Sequence, residues 1–229
     1  MQTTKISFAI KTWMLKEKKL IMAAMAMGFL FTLGLAFATS VYAQSIQQGI
    51  AQEVVRFHVL ANSDSPEDQA LKLMVRDGVL AEFKSILNAS QSVEETKALL
   101  AEHLNEITAC AQRIIHEAGY DYPATAALTQ SFFPTKAYGD ITFPAGTYEA
   151  LRIEIGQASG QNWWCVMFPP LCYVDVTQKQ ATEATKQELK HILTEEEYRI
   201  VAQSATGEEP AIKVKFKIVE WWQSLRLFQ

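Results

Sequence analysis

The sharpest chemistry these residues allow is thiolate attack. Cys165 activated by His58, with Asp64 or Asp175 as the orienting acid, would supply the nucleophile, base and acid that acyl transfer needs. Nothing in the sequence brings those groups together, and a disulfide at Cys165 would remove the nucleophile. The histidines, His58, His103, His116 and His191, share no HExxH or CxxC spacing, so neither a metal site nor a cofactor is expected. No P-loop, GxGxxG fingerprint or GxSxG elbow occurs, and Gly156-Gln157-Ala158-Ser159-Gly160 reads as a hairpin turn.

Two constellations point to binding instead. Arg56, His58, Asn62 and Asp64 lie on and just after a strand, polar groups with no evident packing duty; local turn hydrogen bonding on an open sheet face is the plainer explanation. Asn162, Trp163 and Trp164, with Phe168 and Tyr173 around Pro169-Pro170, carry the aromatic density of a recognition hot spot, which core packing also explains in part. No catalytic residue is assigned.

Cys165 and Cys172 flank Val-Met-Phe-Pro-Pro-Leu, and the prolines turn this short loop so that the two α-carbons can approach disulfide distance. The alternative is two small buried hydrophobes. Cys110, beside an apolar helical stripe, reads as a buried thiol.

The elements that must position these groups follow from periodicity. Val55, Phe57, Val59 and Ala61 alternate with Arg56 and His58, which predicts a strand with one apolar face. Ser65-Pro66-Glu67-Asp68 then starts a helix, with Ser65 as cap and Pro66 at the first helical position, running to about Asn88. Ser92-Val93-Glu94-Glu95 opens a second helix that Gly119 ends. Leu151, Ile153 and Ile155 form a strand that the Gly156–Gly160 turn joins to Trp163–Phe168, apolar on both faces and suited to a central position. Residues 176–190 read as a solvated loop, Thr194-Glu195-Glu196-Glu197 starts a short helix, and Ile212, Val214, Phe216 and Ile218 alternate with lysines as a last strand. The fold class is α+β: helices packed on a mainly antiparallel sheet.

Ahead of this domain the chain is built for export. Of 229 residues, the first 43 hold Lys5, Lys11, Lys16, Lys18 and Lys19 against Glu17 alone, which leaves 16 basic and 24 acidic side chains in the remainder. So acidic a remainder repels phosphate backbones, and nucleic acid is not an expected partner. Leu20 to Ala43 carries no charge and is long enough to span hydrocarbon, with the lysine cluster held on the cytoplasmic side. It is a signal peptide or a membrane anchor. Val41-Tyr42-Ala43 suits cleavage before Gln44, while the length of the run suits an anchor. The expected organisation is therefore leader 1–43, short tether 44–52 and one exported α+β domain, 53–229.

The residues now on the page resemble a family. Val55-Arg56-Phe57-His58-Val59-Leu60-Ala61-Asn62-Ser63-Asp64-Ser65-Pro66-Glu67-Asp68-Gln69-Ala70-Leu71-Lys72 is similar to stage II sporulation protein R of endospore-forming bacteria. So are Phe133-Pro134-Thr135-Lys136-Ala137-Tyr138-Gly139, the segment from Pro144 through Tyr148 to Ile153, Asn162 through Cys172, and Phe216-Lys217-Ile218-Val219-Glu220-Trp221-Trp222. Lys136 stands where Arg is expected, and Met74 and Gly78 where Lys and Ala are. The resemblance covers most of 53–175 and the C-terminus; the leader and residues 176–210 match nothing.

That resemblance implies a signal rather than an enzyme. Members are made in the forespore, exported into the space between the two septal membranes, and trigger the mother cell's membrane-embedded aspartic protease, stage II sporulation protein GA, to process pro-sigma-E. Activation by binding is the implied mechanism, with the membrane met through the N-terminal segment. The rival is a secreted cell-envelope hydrolase that uses Cys165 and His58 or binds peptidoglycan. Without a catalytic constellation in the family, the motif residues carry over only as candidate contacts.

Overall fold

A computed structural model describes residues 17–172 and 181–203. It divides the chain into two compact units, residues 1–46 and 47–229. Helix α1 (Lys18–Gln52) begins in the first. In that unit Leu20, Met22, Met25, Phe29, Phe31 and Phe37 are all exposed, apolar on every side, and the helix is long and apolar enough to cross a membrane. Its hydroxyls bond back along the helix: Thr32 to the Phe29 carbonyl (2.8 Å), Thr39 to Ala36 (2.9 Å) and Ser40 to Phe37 (2.8 Å).

The second unit is α+β. After the last turns of α1 come β1 (Val55–Leu60), α2 (Pro66–Ala89), α3 (Val93–Glu102) and α4 (Leu104–Glu117). Then follow β2 (Ala124–Phe133), β3 (Lys136–Tyr138), β4 (Ile141–Phe143), β5 (Gly146–Ile155), β6 (Asn162–Phe168), α5 (Glu183–Ile192) and α6 (Glu195–Gln203). The main sheet has the order β2-β5-β1-β6; β1 runs parallel to β5, and the other two pairings are antiparallel. β3 and β4 form a separate hairpin.

The caps explain where helices begin. Ser65 Oγ accepts the Asp68 amide (3.1 Å) ahead of Pro66, and Ser92 Oγ accepts the Glu95 amide (3.1 Å) while Glu95 Oε2 accepts the Gln91 amide (2.8 Å). Val55, Phe57 and Val59 then meet Leu71, Val75 and Val79 of α2 and Ile107 and Ile114 of α4 in one core. Each such side chain withdrawn from water contributes roughly 1.5–3 kcal/mol.

Five expectations need correction. Strands β5 and β6 do not form a hairpin: β1, buried along its whole length, lies between them. As a result β6 pairs only with β1 among the described residues, at the sheet's edge rather than its centre. The helix expected over 92–118 is two, broken at His103, whose φ of −97° and ψ of 10° lie outside the helical well. Within the expected loop 176–190, residues 183–190 are helical: Thr182 caps α5, and Thr185, Leu189 and Leu193 bury a narrow stripe too sparse to stand out in sequence. The strand expected over 212–218 lies outside the described residues. Segment 44–52, read as a tether, is helical, and Ile50 is fully buried.

Candidate binding face

Alternation along β1 turns Arg56 and His58 away from the helices. Their lateral neighbours are Ala150 and Arg152 on β5, and Val166 and Trp164 on β6. The expectation of an open sheet face is overturned. Arg56 is 0% and His58 4% exposed, because the β3–β4 hairpin and the aromatic residues of β2 and β5 cover them.

Arg56 is held without any carboxylate among the described residues. Its Nε donates to the Cys165 carbonyl (3.0 Å) and Nη2 to Tyr138 Oη (3.1 Å), while Nη1 has no hydrogen-bond partner among the described residues. The guanidinium carbon lies 4.3 Å from the Phe133 ring centre, 4.9 Å from Tyr148, 5.3 Å from Phe143 and 5.9 Å from Tyr138. Ring quadrupoles thus take the place of a counter-ion. Burial lowers the Arg56 pKa and raises those of Tyr138 and Tyr148.

His58 is held just as firmly. Nδ1 lies 3.3 Å from Asn162 Oδ1 and Nε2 3.2 Å from Ser131 Oγ, so Nδ1 donates to the amide oxygen and Nε2 accepts the serine hydroxyl. The ring stacks on Trp164 at 5.1 Å and 3° and meets Phe133 edge-on at 5.2 Å. Burial pushes its pKa down to about 4; the Asn162 bond opposes this, and the Arg152 and Arg56 charges reinforce it. At neutral pH the ring is therefore uncharged.

The structure joins part of one constellation to part of the other. His58, Asn162 and Trp164 meet on one face. Asn62 and Asp64 instead bracket two loops together: Asn62 Oδ1 accepts the Gln157 amide (3.0 Å), its Nδ2 donates to Asp68 (2.8 Å), and Asp64 Oδ1 accepts the Gln161 amide (2.7 Å). Gly156, at φ 59°, is needed there because a Cβ would run into the Asn62 side chain. Trp163 and Phe168 belong to the helix side, Trp163 edge-on to Phe57 (5.8 Å) and beneath the Arg76 guanidinium (4.8 Å). Tyr173 and Asp175 lie outside the described residues.

Cys165 and Cys172 are joined by a disulfide with their α-carbons 5.4 Å apart, and Cys165 sits in the helix-side core opposite Phe57. A Cys165–His58 dyad would have to act through the sheet. Cys110 is free and buried, its thiol pushed up to about 11 by burial and by Glu82. No group of three His, Cys, Asp or Glu side chains could hold a metal ion among the described residues. The aromatic cradle of Phe133, Tyr138, Phe143 and Tyr148 escaped sequence reasoning, although all but Phe143 fall in family-like segments.

This geometry can be set beside known proteins. A family model described as stage II sporulation protein R matches residues 51–178. The stage II sporulation protein R of Bacillus subtilis (strain 168) is 37% identical over 187 residues, 77% of this chain and 83% of that protein. No solved structure matches.

Proposed function

The chain belongs to the stage II sporulation protein R family, and from that premise we propose that it is an exported signal that activates, by binding, the membrane-embedded aspartic protease stage II sporulation protein GA. The protease then processes pro-sigma-E. Export runs from the forespore into the space between the septal membranes, directed by the apolar α1 and its lysine-rich flank.

What carries binding over turnover is how the polar groups are spent. His58 is neutral and engaged at both ring nitrogens, Cys165 is tied to Cys172, and Asp64 and Asp68 close loops. Catalysis by acid–base or nucleophilic groups wants them poised rather than satisfied. Trp164 and Asn162, both half-buried, are the members of the His58 cluster that can also meet a partner. A ligand activates an enzyme by binding its active state more tightly than its inactive one.

Co-expression of the full-length chain with the protease and pro-sigma-E in a non-sporulating host tests this directly. The expected outcome is cleaved pro-sigma-E only when all three are present. Trp164→Ala should lower cleavage by about tenfold, a hot-spot effect, at unchanged export and amount. Cleavage independent of this chain, or turnover of wall fragments lost in Cys165→Ser, would overturn the reading.

A further inference from the structure

Removing a nucleophile is the least that the Cys165–Cys172 disulfide does. Cys165 is where β6 meets both sides of the sheet. Its side chain lies in the helix-side core opposite Phe57, while its carbonyl accepts Arg56 Nε (3.0 Å), and the neighbouring Trp164 stacks on His58. That carbonyl serves a buried cation that has no carboxylate beside it among the described residues, so a displaced Cys165 disturbs the whole aromatic cradle. This end of β6 needs a tie. Among the described residues the strand pairs with β1 alone, and the register of that pairing shifts between Val55 and Arg56, just where Phe168 is reached. Beyond Phe168 the chain turns back: the Leu171 amide donates to the Val166 carbonyl (3.1 Å), and the disulfide joins Cys172 to Cys165, seven positions earlier. So short a link constrains local geometry more than the whole fold.

The two sulfurs differ in access, Cys165 being 1% exposed and Cys172 half-buried, and Cys110 stays a buried thiol. We propose that Cys165 and Cys172 form a redox gate: both are thiols in the reducing cytosol, and the face that carries Asn162 and Trp164 becomes competent for a partner only when they are oxidised beyond the membrane. The inference rests on the reading that the chain is exported and acts by binding. Reducing compartments hold such pairs open and extracytoplasmic ones close them. The Cys172 thiolate, the more accessible, attacks the disulfide of an extracytoplasmic dithiol oxidase and forms a mixed disulfide. The Cys165 thiolate then displaces the oxidase's sulfur. Both cysteines end oxidised, and the oxidase leaves as a dithiol carrying their two protons. A signal gated in this way is silent in the compartment that makes it.

The test uses the full-length chain in the same three-component host, with the host's own extracytoplasmic dithiol oxidase deleted and a small-molecule disulfide supplied or withheld. Free thiols are counted by alkylation of the denatured chain. With the disulfide supplied, the exported chain should show one, Cys110, and drive cleavage; with it withheld, three, and cleavage should fall by about tenfold at unchanged amounts of exported chain. Supplying the disulfide afterwards should restore cleavage. The double variant Cys165→Ala with Cys172→Ala should be as weak as the reduced chain under both conditions, which separates a gate in this chain from an oxidation the protease itself needs. Full cleavage by the double variant overturns the proposal, as does full cleavage by a chain with three free thiols. So does a reduced chain that loses its resistance to trypsin, because the bond is then a staple of the fold. If the oxidised, unmodified chain drives no cleavage, the binding reading fails first and takes the gate with it, a failure visible before any variant is made.

Discussion

On the helix side of the sheet Val55, Phe57 and Val59 are buried among mainly aliphatic side chains, with Trp163 edge-on to Phe57. One residue along, on the other side, Arg56 and His58 are as deeply buried among Phe133, Trp164 and Tyr148. The first face needs only volume and apolarity, which many residues supply. The second needs each donor, acceptor and ring in place, because a misplaced polar group there loses its partner without regaining water. One strand thus carries a tolerant face and an exacting one.

The largest expected effect lies on the tolerant face. Phe57→Ala removes a fully buried ring and should cost about 3–5 kcal/mol in urea denaturation of the full chain in detergent. A loss much below that would mean the helix layer collapses into the gap, and that this face is looser than drawn. Next comes acid sensitivity on the exacting face. His58, with its pKa lowered from 6.5 to about 4, binds fewer protons folded than unfolded between those values. Its contribution is complete above about pH 6.5 and is lost as pH falls toward 4, by about 3 kcal/mol in all. Comparing denaturation midpoints at several pH values for the wild type and His58→Gln checks this: the variant should show a flatter profile. Smallest is Arg56→Met, which keeps most of the volume and discards the charge, at about 1–2 kcal/mol for the orphaned Cys165 carbonyl and Tyr138 hydroxyl. Should it exceed Phe57→Ala, the cation itself holds the hairpin down.

Alternation along β1 and the Ser65-Pro66 start of α2 were legible because both are local: a period of two and a cap with its proline. The insertion of β1 between β5 and β6 was not, since pairing partners far apart in sequence leave no periodic mark. Strand β2 escaped notice because Ala124-Thr125-Ala126-Ala127 alternates small residues with little contrast. At the site, the orientation of Arg56 and His58 could be read from sequence but their burial could not. Their cover comes from a hairpin some eighty residues on, as the Arg56–Tyr138 bond spans 82 positions. The same distance hid the bond between His58 and Asn162, 104 positions apart, which joins two constellations that had looked separate.

The C-terminal turns of α1 bear on where the protein could be trimmed. Gln47 Nε2 donates to the Thr147 carbonyl (3.5 Å), a Cβ on Gly49 would strike the Glu197 carboxylate, and Ile50 has no exposed surface. These turns are masonry of the α+β unit, whatever becomes of the apolar turns before them. A cut before Gln44 leaves them all behind with the domain, whereas one a few residues further would pull a stone from its wall.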